Sequence, residues 1–236
     1  FNNFDYTDFE GYLPLATADY VIEVRDNAGT TTVKSYDAPL ATLGLQGASA
    51  VVVASGFLDP SANTAGGPEF GLWVALPSGG DLIPLPESEA TIQVIHNSPD
   101  AAADSVDVYI NGDLTLDNFA FRNATPFVNV PAGVEIEVAV APKTSTSVGQ
   151  ALATFPYSLA SGETYILVAN GVITPANYNG VAGFGIDVYP MGQEVAAASG
   201  NTDVLVHHGS PDAPTVSVWE TGVGAGELFN GFDYGD

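Results

Sequence analysis

The sequence contains no cysteine, and this absence removes several classes of chemistry at once. Without thiols the chain cannot form a disulfide scaffold, a zinc site built on thiolates or a cysteine nucleophile. Methionine is also scarce, with Met191 the single copy, and the chain opens on Phe1. We therefore expect a mature product or a fragment rather than a native start. No run of about 18 apolar residues is present, so we expect no membrane insertion.

Basic residues are few: four Lys and Arg stand against 28 Asp and Glu, which gives a net charge of −24. Such a surface repels nucleic acid and anionic membranes, so neither is an expected partner. Salt at about 1 M shortens the screening length to about 3 Å and would relieve the self-repulsion. The acidity therefore fits a halophilic habitat and simple solubility equally. Charged residues make up only 14% of the chain, as on many secreted β-rich surfaces, so we expect an extracellular or cell-surface location.

Catalytic motifs are missing as well. The sequence has no Gly-x-Ser-x-Gly elbow, no phosphate-cradling loop and no His-Glu-x-x-His. The pair Glu135 and Glu137 could in principle serve a glycosidase, but strand alternation places both on the solvated face, opposite Ile136. We therefore expect no enzyme.

An internal repeat organises what is present. The segment IQVIHNSPDAAADSVDVYING at 92–112 is echoed by VLVHHGSPDAPTVSVWETG further along. A second echo relates LQGASAVVVASG at 45–56 to LASGETYILVANG at 159–171. We predict three regions from these echoes. They are the C-terminal part of a repeat at 1–88, a complete repeat at 89–200 and the N-terminal part of a further repeat at 201–236.

The complete repeat has the pattern of an all-β domain. Short runs rich in Val, Ile and Tyr alternate with turn dipeptides such as Asn111-Gly112 and Asn170-Gly171. Seven or eight strands in a repeat of this length fit an antiparallel β-sandwich of immunoglobulin-like size. The predicted fold is therefore a tandem of such sandwiches, one complete and one divided between the two chain ends.

These motifs resemble a known family. A strand ending in His, then Ser-Pro-Asp-Ala, then Val-x-Val-Tyr-x-Asn-Gly and a Pro-Ala-Gly turn is similar to the domain of unknown function 4397 family. The resemblance implies secreted or surface-anchored β-sandwich modules in tandem, and it implies no activity. The motif residues are His96, Ser98, Pro99 and Asp100 in the complete copy and His208, Ser210, Pro211 and Asp212 in the partial copy.

Three carboxylates follow the first histidine of the motif. Asp100, Asp104 and Asp107 could supply hard oxygen ligands for calcium, and no other cofactor is expected. The alternative is structural: Pro99 suits the second position of a β-turn, and the Asp100 carboxylate can accept backbone N–H groups there. Adjacent strand residues point to opposite faces, so His207 and His208 should diverge rather than chelate a metal. Asn123 heads the single glycosylation sequon, although Asn and Thr are also ordinary turn residues.

The two ends of the chain carry one aromatic phrase. FNNFDYTD at residue 1 and FNGFDYGD at residue 229 agree at six of eight positions, 228 residues apart. We expect aromatic side chains of this kind to pack against their own sandwich. The residues assigned to strand completion are Phe1, Phe4, Tyr6, Phe229, Phe232 and Tyr234.

Each end supplies part of a sandwich, and a partial sandwich leaves strand edges unpaired. We therefore expect partners that are copies of the chain itself, joined head to tail or in a continuous array. The favoured hypothesis is a structural segment of an extracellular filament, stalk or surface layer. The alternative is a calcium-dependent adhesin or carbohydrate-binding module with glycans as ligands.

Overall fold

The computed structural model describes residues 4–236 and confirms the all-β class. Every regular element in that range is a β-strand or a single turn of 3-10 helix. None of these helical turns has the length and apolar content needed to cross a bilayer. The chain divides into two compact units: unit 1 runs up to Glu89 and includes 131–135 and 158–162, and unit 2 contains the rest. The three predicted repeat boundaries stay a prediction.

Unit 1 contains two small antiparallel sheets. Strands β1 and β2 form a hairpin, and β3, β4 and β5 form a three-stranded sheet with β3 at its edge. The strand bounds are β1 Asp19–Arg25, β2 Thr32–Pro39, β3 Val51–Ser55, β4 Gly71–Ala75 and β5 Ile83–Pro84. The core holds the buried residues Tyr36, Ala38, Leu72, Val74 and Leu85. Strand β3 takes no part in that core, because all five of its residues are exposed.

Unit 2 contains two four-stranded sheets, ordered β11-β10-β7-β8 and β13-β12-β6-β9. Their bounds are β6 Glu89–His96, β7 Ser105–Ile110, β8 Asp113–Ala120, β9 Val128–Pro131, β10 Glu135–Pro142, β11 Ala153–Ser158, β12 Thr164–Asn170 and β13 Gly185–Pro190. A further hairpin, β14 Val216–Glu220 with β15 Gly226–Phe232, completes the unit. The predicted alternation in β10 is confirmed, because Glu135 and Glu137 are exposed while Ile136 and Val138 are buried.

One strand pair departs from the antiparallel prediction. Strands β6 and β12 run parallel, from Thr91 opposite Thr164 to His96 opposite Ala169. The chain passes through five other strands between them, so a long crossover replaces the short hairpin that an antiparallel pair would use. Both strands lie inside their sheet rather than at its edge. The pair therefore joins residues 91–96 to residues 164–169, which lie in the early and late parts of the predicted repeat.

A glycine directly follows β12 in unit 2 and β3 in unit 1. Gly171 follows β12 with φ +72°, and a Cβ there would overlap the backbone carbonyl of Gly183. Gly56 follows β3 with φ +94°, and a Cβ there would overlap the carbonyl of Glu69. A parallel bridge follows each glycine, Val172 with Gly183 and Phe57 with Glu69. The left-handed backbone and the close approach both require glycine at these two places.

We predict that Gly171→Ala lowers the free energy of unfolding by about 2 kcal/mol or more, because it adds a backbone clash to left-handed strain. The matched control is Gly162→Ala, where φ is +76° but no atom lies within 4 Å of the new Cβ. The control should cost about 1 kcal/mol, from strain alone. Chemical denaturation of the two variants measures the difference, and equal losses would contradict the role given to the close approach.

Candidate functional site

The first motif histidine, His96, is buried inside unit 2. His96 ends β6 and is 1% exposed. Its Nε2 lies 2.8 Å from the carbonyl oxygen of Ala103, and its Nδ1 lies 3.4 Å from the backbone nitrogen of Ser98. The ring packs beside Phe119 and Phe121 at centroid distances of 5.9 and 6.1 Å. A neutral imidazole with its proton on Nε2 satisfies both contacts, so His96 organises a loop.

The Ser-Pro-Asp-Ala turn fastens that loop to the closing strand. The Ser98 hydroxyl donates to the carbonyl oxygen of Gly171 at 2.7 Å. The Asp100 carboxylate accepts from the backbone nitrogen and the hydroxyl of Thr174, both at 2.8 Å, and from the Tyr178 hydroxyl at 3.2 Å. The backbone nitrogen of Ala102 donates to it at 2.9 Å. Asp100 therefore bonds both to its own turn and to the segment after β12. We call the hydrogen bonds of Ser98 and Asp100 to Gly171, Thr174 and Tyr178 the closing clamp.

The charge on Asp100 is stabilised by these donors. Burial opposes ionisation, but the hydrogen bonds from Ala102, Thr174 and Tyr178 outweigh it and hold the pKa of Asp100 below its usual value. Its side chain is 3% exposed. The structural interpretation of the turn thus has a complete set of partners without any ion.

The other two carboxylates of the motif lie in different surroundings. Asp104 is exposed and pairs with Lys143 at 3.1 Å. Asp107 is buried and accepts from the backbone nitrogen of Asn118 at 2.9 Å and the Ser145 hydroxyl at 2.6 Å. Burial opposes ionisation of Asp107, but these bonds keep its pKa below the usual value. Residues 4–236 contain no group of three His, Cys, Asp or Glu side chains placed to hold one metal ion, and the calcium site stays a prediction.

The partial copy repeats the histidine but not the clamp. The ring of His208 packs beside Phe232 at 5.9 Å and Tyr234 at 6.5 Å, and its Nδ1 lies 3.4 Å from the backbone nitrogen of Ser210. The Ser210 hydroxyl, however, reaches only Asp212, at 3.5 Å, and both residues are exposed. The partners that Ser98 and Asp100 find after β12 have no counterpart in the segment 201–236.

The two copies of the aromatic phrase adopt one turn in two environments. The backbone nitrogen of Asp8 donates to the carbonyl of Asp5, and that of Asp236 donates to Asp233, each at 3.0 Å. Tyr234 packs on His208, whereas Tyr6 is 96% exposed. Phe4 is exposed as well, and Phe1 lies outside the described residues. The prediction that the first copy packs against its own sandwich is wrong for Phe4 and Tyr6.

A polar joint that the sequence did not reveal fixes the start of the partial copy within unit 2. The Asn97 side chain donates to Asn170 at 2.7 Å and to the carbonyl of Gly209 at 2.8 Å. The Asn170 side chain donates to Asp187 at 2.7 Å and contacts Nε2 of His207 at 2.5 Å. His207 and His208 therefore face different partners. Asn170 belongs to an Asn-Gly turn signal, which gives no indication of these partners.

Two further predicted site residues, Asn123 and Phe229, make contacts within the fold. Asn123 is exposed, and its carbonyl accepts from the backbone of His96 at 2.9 Å, while Thr125 of the same sequon is buried. Phe229 stacks on Phe232 at 5.5 Å within the β14–β15 hairpin. Glycosylation at Asn123 stays a prediction.

These observations define an all-β protein built on a repeated His and Ser-Pro-Asp-Ala unit. The sequence profile of the family described as Domain of unknown function (DUF4397) matches residues 90–219, which is more than half of the chain. The chain belongs to this family. A search of curated proteins finds no match.

We predict that Asp100→Ala destabilises the protein by about 2 to 3 kcal/mol, because four donors lose a buried acceptor. The equivalent change in the partial copy, Asp212→Ala, should alter stability by less than about 0.5 kcal/mol, since that carboxylate is exposed. Urea denaturation of the chain in calcium-free buffer measures both. Similar effects at the two positions would contradict the closing clamp.

We also predict a loss of stability on mild acidification. Burial lowers the pKa of His96, more than its bond to Ala103 and the charge of Asp104 raise it. The unfolded chain therefore takes up the proton first, so this stability is fully present above about pH 6.5 and declines as the pH falls below it. Urea midpoints at about pH 7.5 and 5.5 test this while most carboxylates stay ionised. His96→Gln should flatten the decline, and an unchanged decline in that variant would contradict the prediction.

Proposed function

We propose that the chain is a structural segment of an extracellular filament, stalk or surface layer, built from tandem immunoglobulin-like β-sandwich repeats. One repeat is complete, at 89–200, and one is divided between residues 1–88 and 201–236. Copies of the chain, or successive units of one array, join head to tail by completing the divided repeat. The proposal includes no enzymatic activity, no cofactor and no nucleic-acid or membrane partner.

The observation that carries the proposal is the contrast between β3 and β12. In β12 the side chains of Ile166, Leu167 and Val168 are buried, with β6 on one side and β13 on the other. In β3, which holds the corresponding sequence, Val51, Val52 and Val53 are 40, 50 and 37% exposed and only β4 lies alongside. An apolar strand with a free edge is a template for pairing with another chain.

The other end of the chain contains the matching element without a partner strand. Residues 203–208, which correspond to β6, have no regular secondary structure. Val204 and Leu205 are 72 and 50% exposed, whereas Ile92 of β6 is buried. The two features are complementary. Strand β3 has an open edge where β12 has β6, and residues 203–208 correspond to β6 but lie in no sheet. Strand addition of this kind gives affinity through main-chain hydrogen bonds and specificity through alternate side chains.

The charge of the chain fits such an assembly under defined conditions. With a net charge of −24, neighbouring copies repel each other at low salt. Salt screens that repulsion over distances longer than about 3 to 10 Å. The low content of Lys and Arg also leaves few cationic groups to bridge chains, so the proposed contact depends on strand pairing and apolar burial.

Glycan binding is the second candidate. Tyr6, Phe9 and Tyr12 are all exposed and could stack on sugar rings. The same exposure is expected if these residues belong to a repeat whose histidine strand comes from elsewhere, because Tyr234 in the second copy is covered by His208. Exposed aromatics with a covered equivalent favour assembly over ligand binding.

We predict that the 236-residue chain forms filaments whose number increases with salt, and that Val52→Asp abolishes them by placing a charge on the open edge of β3. Val195→Asp is the matched control, because Val195 is also exposed but lies outside any strand. Negative-stain microscopy across salt and calcium concentrations measures the outcome. Dispersed single particles of the unmodified chain under all conditions, or filaments of Val52→Asp, would contradict the proposed function.

A further inference from the structure

We propose that residues 203–210 of a second copy bind along β3 as a parallel strand in one defined register, with Leu205 opposite Val51 and His207 opposite Val53. The inference rests on the proposed function and specifies its contact. The occupant of the open edge is then a named segment of the same sequence.

The first part of this register is the residue correspondence between β3 and β12. Ser55 of β3 lies opposite Gly71 of β4, and Asn170 of β12 lies opposite Gly185 of β13. A left-handed glycine and a parallel bridge come next in both units, at Gly56 and Gly171. Two strands with the same pairing and the same ending are equivalent residue by residue. Val51 therefore corresponds to Ile166, and Val53 corresponds to Val168.

The motif histidine fixes the other half. His208 and His96 each pack beside two aromatic residues and each accept a contact from the serine two positions later, at 3.4 Å. Counting back from the histidine, Leu205 corresponds to Gln93 and His207 corresponds to Ile95. In the complete repeat Ile166 lies opposite Gln93, and Val168 lies opposite Ile95. Transfer of these pairs gives Val51 with Leu205 and Val53 with His207.

The side chains of the segment are compatible with this placement. Position 94 of β6 lies opposite Leu167, which is buried. Val206 corresponds to position 94 and Val52 corresponds to Leu167. Both are apolar, so the contact would bury an aliphatic pair. His207 takes the place of Ile95 on the other side of the strand, and it already contacts Asn170 of its own unit.

A polar contact at the end of the strand agrees with the same register. In the complete repeat the Ser98 hydroxyl donates to the carbonyl of Gly171. The equivalent serine is Ser210, which is exposed, and the equivalent carbonyl belongs to Gly56. With Leu205 opposite Val51, Ser210 arrives at Gly56 and gains the acceptor that its own unit does not provide.

Disulfide trapping tests the register, and the absence of native cysteine leaves no background. Chains with Val51→Cys are mixed with chains with Leu205→Cys, assembled in salt and oxidised mildly. Partner residues on adjacent strands lie about 4.8 Å apart, within the range that a disulfide spans. The control mixture replaces Val51→Cys by Val53→Cys, which has similar exposure and the same side of β3. There the two Cα atoms are about 8 Å apart, beyond disulfide reach.

Peptide mass spectrometry identifies the linkage between position 205 and each acceptor, and microscopy checks that every mixture assembles. We expect the linkage at 51 to exceed that at 53 by at least tenfold. Equal or reversed yields, or filaments without either linkage, would overturn the register while leaving the proposed function intact. If no mixture assembles and the unmodified chain also stays dispersed, the proposed function itself fails.

Discussion

The structure depends on the parallel pairing of β6 with β12. A strand inside a sheet needs hydrogen-bonding partners on both sides, and here β6 is the partner of β12, which the chain reaches only after five other strands. The closing clamp follows from this pair. Ser98 and Asp100 come shortly after β6, and they bond to Gly171 and Thr174, which come shortly after β12. A repeat that lacks either strand loses both the ladder and the clamp. The exposed valines of β3 and the lack of regular secondary structure at 203–208 are what the proposed division of a repeat would produce.

The family, the all-β class and the alternation of β10 could all be predicted from the sequence, because each depends on local pattern. The internal repeat was equally visible, since copied segments keep their spacing. The parallel pair could not be predicted, because strand direction depends on where distant elements meet rather than on periodicity. The same limit applies to the joint: nothing near Asn170 in the sequence indicates Asn97, Asp187 or His207 as its partners. The packing of Tyr6 was predicted wrongly for a related reason: its counterpart Tyr234 packs on His208, whereas unit 1 contains no histidine.

Repeated motif residues do not perform equal roles in the two copies. Asp100 is buried with four donors, and Asp212, with the same neighbours in sequence, is exposed. The difference arises from what surrounds each turn, because the donors after β12 are supplied by the same repeat in one case and have no equivalent in the other. His96 and His208 behave in the opposite way, since their aromatic partners lie 23 to 26 residues further along the chain, within the segment that both copies contain. Contacts within that segment are therefore copied with the sequence, whereas the contacts of Asp100 with Thr174 and Tyr178 require residues that only the first copy has.

The turn shared by Asp5–Asp8 and Asp233–Asp236 bears on how rapidly and how tightly units could associate. It forms with and without a histidine beside it, so its conformation is set by its own residues. In the partial copy the β14–β15 hairpin, the His208 cluster and this turn are all formed within the single chain. In the proposed assembly, residues 203–208 would still have to become a strand, at an entropic cost of about 1 to 2 kcal/mol per residue. A donor preorganised to this extent would lose less conformational freedom in the proposed contact than a fully disordered one, which favours higher affinity from a contact of modest area.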